Sequence, residues 1–246
     1  SRSARVQAGS EPEWEWLCNW GGNVWTAACD VSEDGSLRAT LQQTLHRAQR
    51  IESLLHVAGG FAGGRLREYK FESVRITHGS KQHAARTLHS MMLSPMSVFG
   101  IASSCCGLIG TYSTYQAAYS AANQWLPSFA AYRCSIGLRG QTVGWGTLLD
   151  HGVSARLGVD RAGERLGIHG LPASVQMTAL QDSLTPSSRS FLAMLPTWSV
   201  LLGGNTREFP GGFITPFGSA EPTKPAISPA TGSSTTPSDR LASIEA

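Results

Sequence analysis

The chain has 246 residues, 41% of them apolar and 15% charged, with a formal net charge of +3. That balance supports a sizeable buried core beneath a modestly charged surface. It excludes a polybasic nucleic-acid patch, since Lys and Arg are not clustered, and a membrane helix, since no span reaches the ~18–20 consecutive apolar residues that one needs.

In chain order, Glu11 to Trp20 predicts a short helix with Trp14, Trp16, Leu17 and Trp20 as its apolar contacts, ended by Gly21-Gly22-Asn23. Val24 to Val31 predicts a buried strand. Ser32-Glu33-Asp34 reads as a cap, and Leu37 to Ile51 as an amphipathic helix. Ser53 to Ala58 is a second strand, stopped by Gly59-Gly60. Phe71 to Met92 is helical with a break at Gly79. Ser97 to Ser104 is a third strand, and Ala117 to Leu126 a helix that Pro127 should kink before it continues to Tyr132. Gln141 to Trp145 is a fourth strand. Arg161 to Leu166 predicts one short helical turn, and Pro172 to Leu184 a longer helix. Strands alternating with helices of this length predict an α/β fold with a doubly wound parallel sheet over residues 1–218. Residues 219–246 turn to Ser, Thr and Pro, with four prolines between Glu221 and Ser238, and read as a linker.

The five cysteines, Cys18, Cys29, Cys105, Cys106 and Cys134, contain no CxxC and no zinc spacing with histidine. Reduced thiols and no metal site are expected. Ser1-Arg2-Ser3-Ala4-Arg5 leads into polar sequence rather than an apolar signal segment, which points to a cytoplasmic protein.

In doubly wound sheets, ligands bind beyond the C-terminal strand ends. Here those ends read Cys29-Asp30-Val31, Ala58-Gly59-Gly60, Ser103-Ser104 and Trp145-Gly146. Tyr119 and Asn123 lie four residues apart on one face of the Ala117 helix, and Ser104 ends the strand that feeds it. A free phenol, with a pKa near 10, is a poor acid at neutral pH, and a nearby cation favours its ionisation. Lys81, on the preceding helix, is the candidate cation. Tyr112 and Tyr115 are rivals to Tyr119, but neither has Asn or Lys four residues later.

These segments, in this order, resemble the ketoreductase domains of modular type I polyketide synthases, members of the short-chain dehydrogenase/reductase superfamily. The resemblance runs through Ser1-Arg2-Ser3, Ala28 to Val31, His56 to Gly60, Phe71 to Val74, Lys81 to His89, Ala102-Ser103-Ser104, Gly107 to Gly110, Tyr115 to Asn123, and Gly144-Trp145-Gly146. Glu164 to Leu171 resembles the family's substrate-side segment. The Tyr-x-x-x-Asn spacing, with the lysine supplied from the helix before, is the most telling part.

The resemblance implies a Rossmann-like fold and an enzyme that uses NADPH to reduce a β-ketoacyl group on an acyl carrier protein, as in polyketide or fatty acid biosynthesis. It implies that Tyr119 donates the proton, Ser104 holds the substrate oxygen, Lys81 lowers the tyrosine pKa and Asn123 orders the relay. It assigns Arg2 to the 2′-phosphate, Asp30 and Val31 to the adenine, and Ala58, Gly59 and Ser103 to the rest of the cofactor. Neighbouring synthase domains are the implied partners, with no nucleic acid and no membrane. Two other readings are a non-catalytic scaffold domain and a free-standing short-chain dehydrogenase.

The family's first strand, glycine-rich turn and first helix would precede Ser1, and no G-x-G-x-x-G occurs in the chain. The expectation is an N-terminally truncated domain that alone binds NADPH poorly or not at all. Phe61-Ala62-Gly63 stands where the family's Leu-Asp-Asp signature falls, and a few extra residues separate Val74 from Lys81.

Overall fold

Four strands lie side by side as one parallel sheet in the computed structural model of the chain, which describes residues 1–6, 8–110, 116–149, 160–165, 167–185 and 190–204. The strands are β1 (Ser53–His56), β2 (Val98–Ser104), β3 (Gln141–Trp145), β4 (Ile168–His169), β5 (Phe191–Ala193) and β6 (Leu195–Pro196). The sheet order is β1-β2-β3-β5, while β4 and β6 pair antiparallel in a separate ribbon. The helices are α1 (Glu11–Asn19), α2 (Asp34–Ala48), α3 (Phe71–His78), α4 (Ala84–Met91), α5 (Cys106–Ile109), α6 (Ala117–Ser135), α7 (Asp160–Arg165), α8 (Ala173–Ser183) and α9 (Trp198–Gly204).

Strand β2 carries no charged residue over Val98-Phe99-Gly100-Ile101-Ala102, as a strand covered on both faces requires. Phe99 and Ile101 point to one side and pack with Leu37 and Leu41 of α2, Ala84, Ala85 and Leu88 of α4, and Leu126 and Phe129 of α6. Successive side chains alternate sides. Val143, paired with Ala102, therefore faces the other way and packs with Leu171 and Ala193. The sheet is thus wound on both faces.

Beneath this core lies Arg133, with no measurable exposure. Its guanidinium donates to the Arg139 carbonyl at 2.7 Å and the Met92 carbonyl at 3.3 Å, and meets His89 Nδ1 at 2.6 Å. It also sits 3.6 Å over the Phe99 ring centroid. Burial lowers its pKa to about 10, so the group stays charged and is compensated by these neutral partners.

Most expected elements are present, with three differences. The strand expected over Val24–Val31 does not form. That stretch is irregular backbone whose ladder-like bonds, among the described residues, are two, from the Cys29 N–H to the Ser1 carbonyl at 2.8 Å and from the Ser1 amine to the Ala27 carbonyl at 3.4 Å. A strand needs a partner along its length, and one residue does not supply it. The break at Gly79 is a π-helical turn over Gly79–His83 rather than an end, so α3 and α4 run on from one another. Helix α6 continues through Pro127 to Ser135. The linker over 219–246 lies outside the described residues. Among the described residues no helix is long and apolar enough to cross a membrane, and no three His, Cys, Asp or Glu side chains are grouped to hold a metal.

Helix α5 seats directly on the backbone of α6. A Cβ at Gly107 would stand 2.7 Å from the Gln124 nitrogen and 2.9 Å from the Asn123 carbonyl carbon. Gly107→Ala should therefore cost about 1–3 kcal/mol, because backbone cannot yield as a flexible side chain can. A urea midpoint equal to that of the unsubstituted protein would show that the two helices are not seated this closely.

Candidate active site

The C-terminal ends of β1 and β2 meet the π-helical turn, and the candidate residues gather there. Residues in a π turn are pushed out of the α-helical path, and Lys81 is one of them. Its side chain is 5% exposed, and its ammonium donates to the Ala102 carbonyl at 2.7 Å. Burial alone lowers its pKa, to about 8. The turn after β1 packs against the same feature. The Gly60 N–H donates to Ser80 Oγ at 2.6 Å, and a Cβ at Gly59 would come within 3.0 Å of Lys81 Cε. A Cβ at Gly60 would meet the Ile76 carbonyl at 2.7 Å, so bare backbone is required there.

Strand β2 delivers two serines with different tasks. Ser103, on the side of Phe99 and Ile101, is buried and donates to the Asn123 carbonyl at 2.9 Å. Ser104 accepts from the Cys106 N–H at 3.3 Å and hydrogen-bonds the Tyr119 side chain. Asn123 is wholly buried; its amide donates to the Tyr119 carbonyl at 2.8 Å, and its Oδ1 meets no partner among the described residues.

The Tyr119 phenol is held above its ordinary pKa. Burial is the largest cause, and Cys106 and Cys105 push the same way against hydrogen bonds from Ser104 and Asn123. The Lys81 ammonium is turned to the Ala102 carbonyl, and the groups named as acting on the phenol are these serine, asparagine and cysteine side chains. The structure thus brings Ser104, Tyr119 and Asn123 together and joins Lys81 to them through the β2 backbone. The rivals Tyr112 and Tyr115, and Leu166 of the substrate-side run, lie outside the described residues.

The remaining expected residues line the same end of the sheet. Asp30 accepts from the Ser32 N–H at 3.0 Å and the Ser32 hydroxyl at 2.6 Å. These bonds lower its pKa, with further help from the charge of Arg2, which is exposed. Val31 and Ala58 are half-buried. Ser32 touches the π turn, since a Cβ at Gly79 would lie 3.1 Å from its own Cβ. A continuous wall therefore runs from Asp30 past Gly79–Lys81 and Gly59–Gly60 to Ser104 and Tyr119.

That wall carries fixed positive charge. An exposed guanidinium stands at one end, and a buried ammonium whose described partner is a neutral carbonyl stands further in. Among the described residues, His56 Nε2 and Asn123 Oδ1, both buried, find no hydrogen-bond partner. Burial, then the Lys81 charge, lowers the His56 pKa to about 4, so it is a neutral ring at working pH.

Sequence reasoning missed two residues. Phe61 presents its ring edge-on to Tyr119, with centroids 5.5 Å apart at 73°. The Tyr69 hydroxyl accepts from the Ala118 N–H at 3.4 Å, at the start of α6. Both sit in the irregular stretch after β1, where no periodicity marks an inward residue.

A family model described as the KR domain matches residues 1–150. The chain is similar to a phenolphthiocerol synthesis polyketide synthase type I of Mycobacterium marinum, 32% identical over 146 residues, which are 59% of this chain and 7% of that protein. It is also similar to the mycoketide-CoA synthase of Mycobacterium tuberculosis, 31% identical over 177 residues, 70% of this chain and 4% of that one. Among solved structures, A-type ketoreductases from a modular polyketide synthase superpose with a TM-score of 0.77 at 24% identity, covering 87% of this chain and 45% of theirs. A short-chain type dehydrogenase/reductase from Mycobacterium marinum superposes with a TM-score of 0.62 at 14% identity, covering 76% of this chain and 81% of its own. The chain spans under half the length of the first of these structures and under a tenth of each synthase. Matched by the KR model over more than half its residues, the chain belongs to the ketoreductase-domain family of polyketide synthases, and its parallel sheet is that of the short-chain dehydrogenases/reductases.

Proposed function

We propose that this chain carries the proton-donating site of an NADPH-dependent reduction, in which a β-ketoacyl group on an acyl carrier protein becomes a β-hydroxyacyl group. One observation carries the reading: a half-buried phenol, Tyr119, is hydrogen-bonded to Ser104 at a strand end and kept protonated by its surroundings. The phenol therefore holds its proton at neutral pH, as a donor must, while the Ser104 hydrogen bond works against the burial and eases the release of that proton to a developing oxyanion. The Ser104 hydroxyl lies where it can hydrogen-bond that same oxygen. Asn123, pinned through its backbone carbonyl by Ser103, holds the Tyr119 turn of α6 by its amide.

Arg2, Asp30, Val31, Ala58, Gly59 and Ser103 would hold NADPH, which when bound supplies the hydride. Arg2 suits its 2′-phosphate, since a guanidinium offers paired donors. Lys81 faces this cofactor wall with a charge that, among the described residues, no carboxylate offsets, which is the cost a functional site bears rather than a packing choice. The relatives named above are synthases, which supports neighbouring synthase domains and a carrier protein as partners.

Two outcomes are expected. Assayed with the family's upstream strand and glycine-rich turn present, at saturating NADPH and with a β-ketoacyl thioester, Tyr119→Phe should lower the rate of NADPH oxidation by about 10²-fold or more, the size of a lost general acid. Equal rates in the two proteins would remove Tyr119 from the role.

The second concerns stability. Lys81 is protonated below pH 8 in both folded and unfolded chains, and burial makes that charge costly when folded. Between pH about 8 and 10.5 the folded chain has released the proton and the unfolded chain has not, so the cost fades as pH rises. Lys81→Met should thus gain on the parent protein by on the order of 3 kcal/mol more at pH 7 than above pH 10.5. Parallel stability curves for the two proteins would show that the ammonium is not buried at this cost.

A further inference from the structure

Beside the Ser104–Tyr119 pair lies a group to which the reduction assigns no task, the Cys106 thiol. Cys105 and Cys106 are both buried, directly follow Ser104, and pack with Tyr119, Ile109, Ile168 and Leu201. Cys106 opens α5, the short helix that Gly107 allows to rest on the α6 backbone at Asn123 and Gln124. Its place relative to Tyr119, one turn earlier on α6, is therefore set by backbone rather than by flexible side chains. From that place it reaches Ser104 twice: its N–H donates to Ser104 Oγ at 3.3 Å, and its sulfur shares a hydrogen bond with the Ser104 hydroxyl.

We propose that Cys106 is a positioning residue for the Ser104–Tyr119 pair, gripping the serine hydroxyl by both its backbone and its thiol so that the hydroxyl meets the phenol in a fixed orientation. The inference rests on the reading of Ser104 and Tyr119 as the proton-donating site. A hydroxyl has one proton and two lone pairs. With one lone pair taken by the Cys106 N–H, the sulfur and the phenol share what is left, so a change at sulfur is felt at Tyr119.

The direction follows from the chemistry. Hydrogen bonds from Cys105 and Ser104 ease ionisation of the Cys106 thiol, whereas burial delays that of the phenol. As pH rises the thiol loses its proton first. The serine proton then turns to sulfur, and the new negative charge opposes a second one on Tyr119.

The test reads the residues themselves and needs no turnover. The five tyrosines are labelled with carbon-13 at Cζ and titrated by NMR, with Tyr119→Phe assigning the resonance. Cys106→Ala and Cys106→Ser, neither of which can form a thiolate, should bring the Tyr119 midpoint down by about 0.5 pH unit or more. An unchanged midpoint in both would overturn the proposal.

A reciprocal measurement stands if those variants fold poorly. Loss of the buried S–H stretching band of Cys106 with rising pH, followed by Raman spectroscopy, should move to higher pH in Ser104→Ala, and an unmoved titration would equally overturn it. A protein that shows both effects yet never oxidises NADPH loses the reductase reading while the coupling of residues 104, 106 and 119 stands.

Discussion

A helix carbonyl normally accepts from the N–H four residues on. Pro127 has no N–H to give, so the carbonyl of Asn123 is left open inside α6, and the Ser103 hydroxyl takes it from the neighbouring strand. The same peptide is pressed from another side by Gly107, where no Cβ intervenes. Strand β2, helix α5 and helix α6 are thereby tied at one peptide group. Tyr119 lies one turn before that peptide and Ser104 one residue beyond its serine partner. The meeting of phenol and hydroxyl is a consequence of this tie, and so is the burial of Asn123.

The buried cations of this fold are held by backbone carbonyls. Lys81 and Arg133 are both buried, and each is satisfied by backbone carbonyls instead of carboxylates. A carboxylate beside Lys81 would cancel the field that an anionic ligand feels, whereas a carbonyl keeps the ammonium oriented and leaves its charge in place. Asp30, the acid on the same wall, is turned inward to Ser32 and held ionised there. Arg133 uses the same chemistry at the opposite end of α6, where it fastens that helix to the end of α4 through Met92 and to the following turn through Arg139.

The sheet was largely readable because its strands are short apolar runs punctuated by glycine and followed by helical periods. Gln141–Trp145 has the bounds that its sequence suggests, and α2, α3, α6 and α8 lie within two or three residues of theirs at their starts. What was not readable depended on partners distant in sequence. Val24–Val31 has the composition of a strand, but strand structure is a property of a pair, and in the described residues Ser1 is what meets it. Strands β4, β5 and β6 are two or three residues long, too short for any periodicity to show. The tetrad of Lys81, Ser104, Tyr119 and Asn123 was legible as residue types on one end of the sheet. The direction in which the Lys81 side chain is spent was not, because it depends on which carbonyl the fold leaves within reach.

The π-helical turn explains an awkward spacing. Lys81 stands a few residues further from Val74 than the family pattern leads one to expect, yet it reaches the strand end. A wider turn lodges surplus chain inside a helix without unwinding what flanks it. Helix α3 and helix α4 therefore keep independent rotational phase: α4 presents Ala84, Ala85 and Leu88 to the sheet whatever the count since Phe71. Insertions and losses in this stretch change the bulge and spare the core. What fixes this lysine is its place on the outward loop of the turn, not its count of residues from either end.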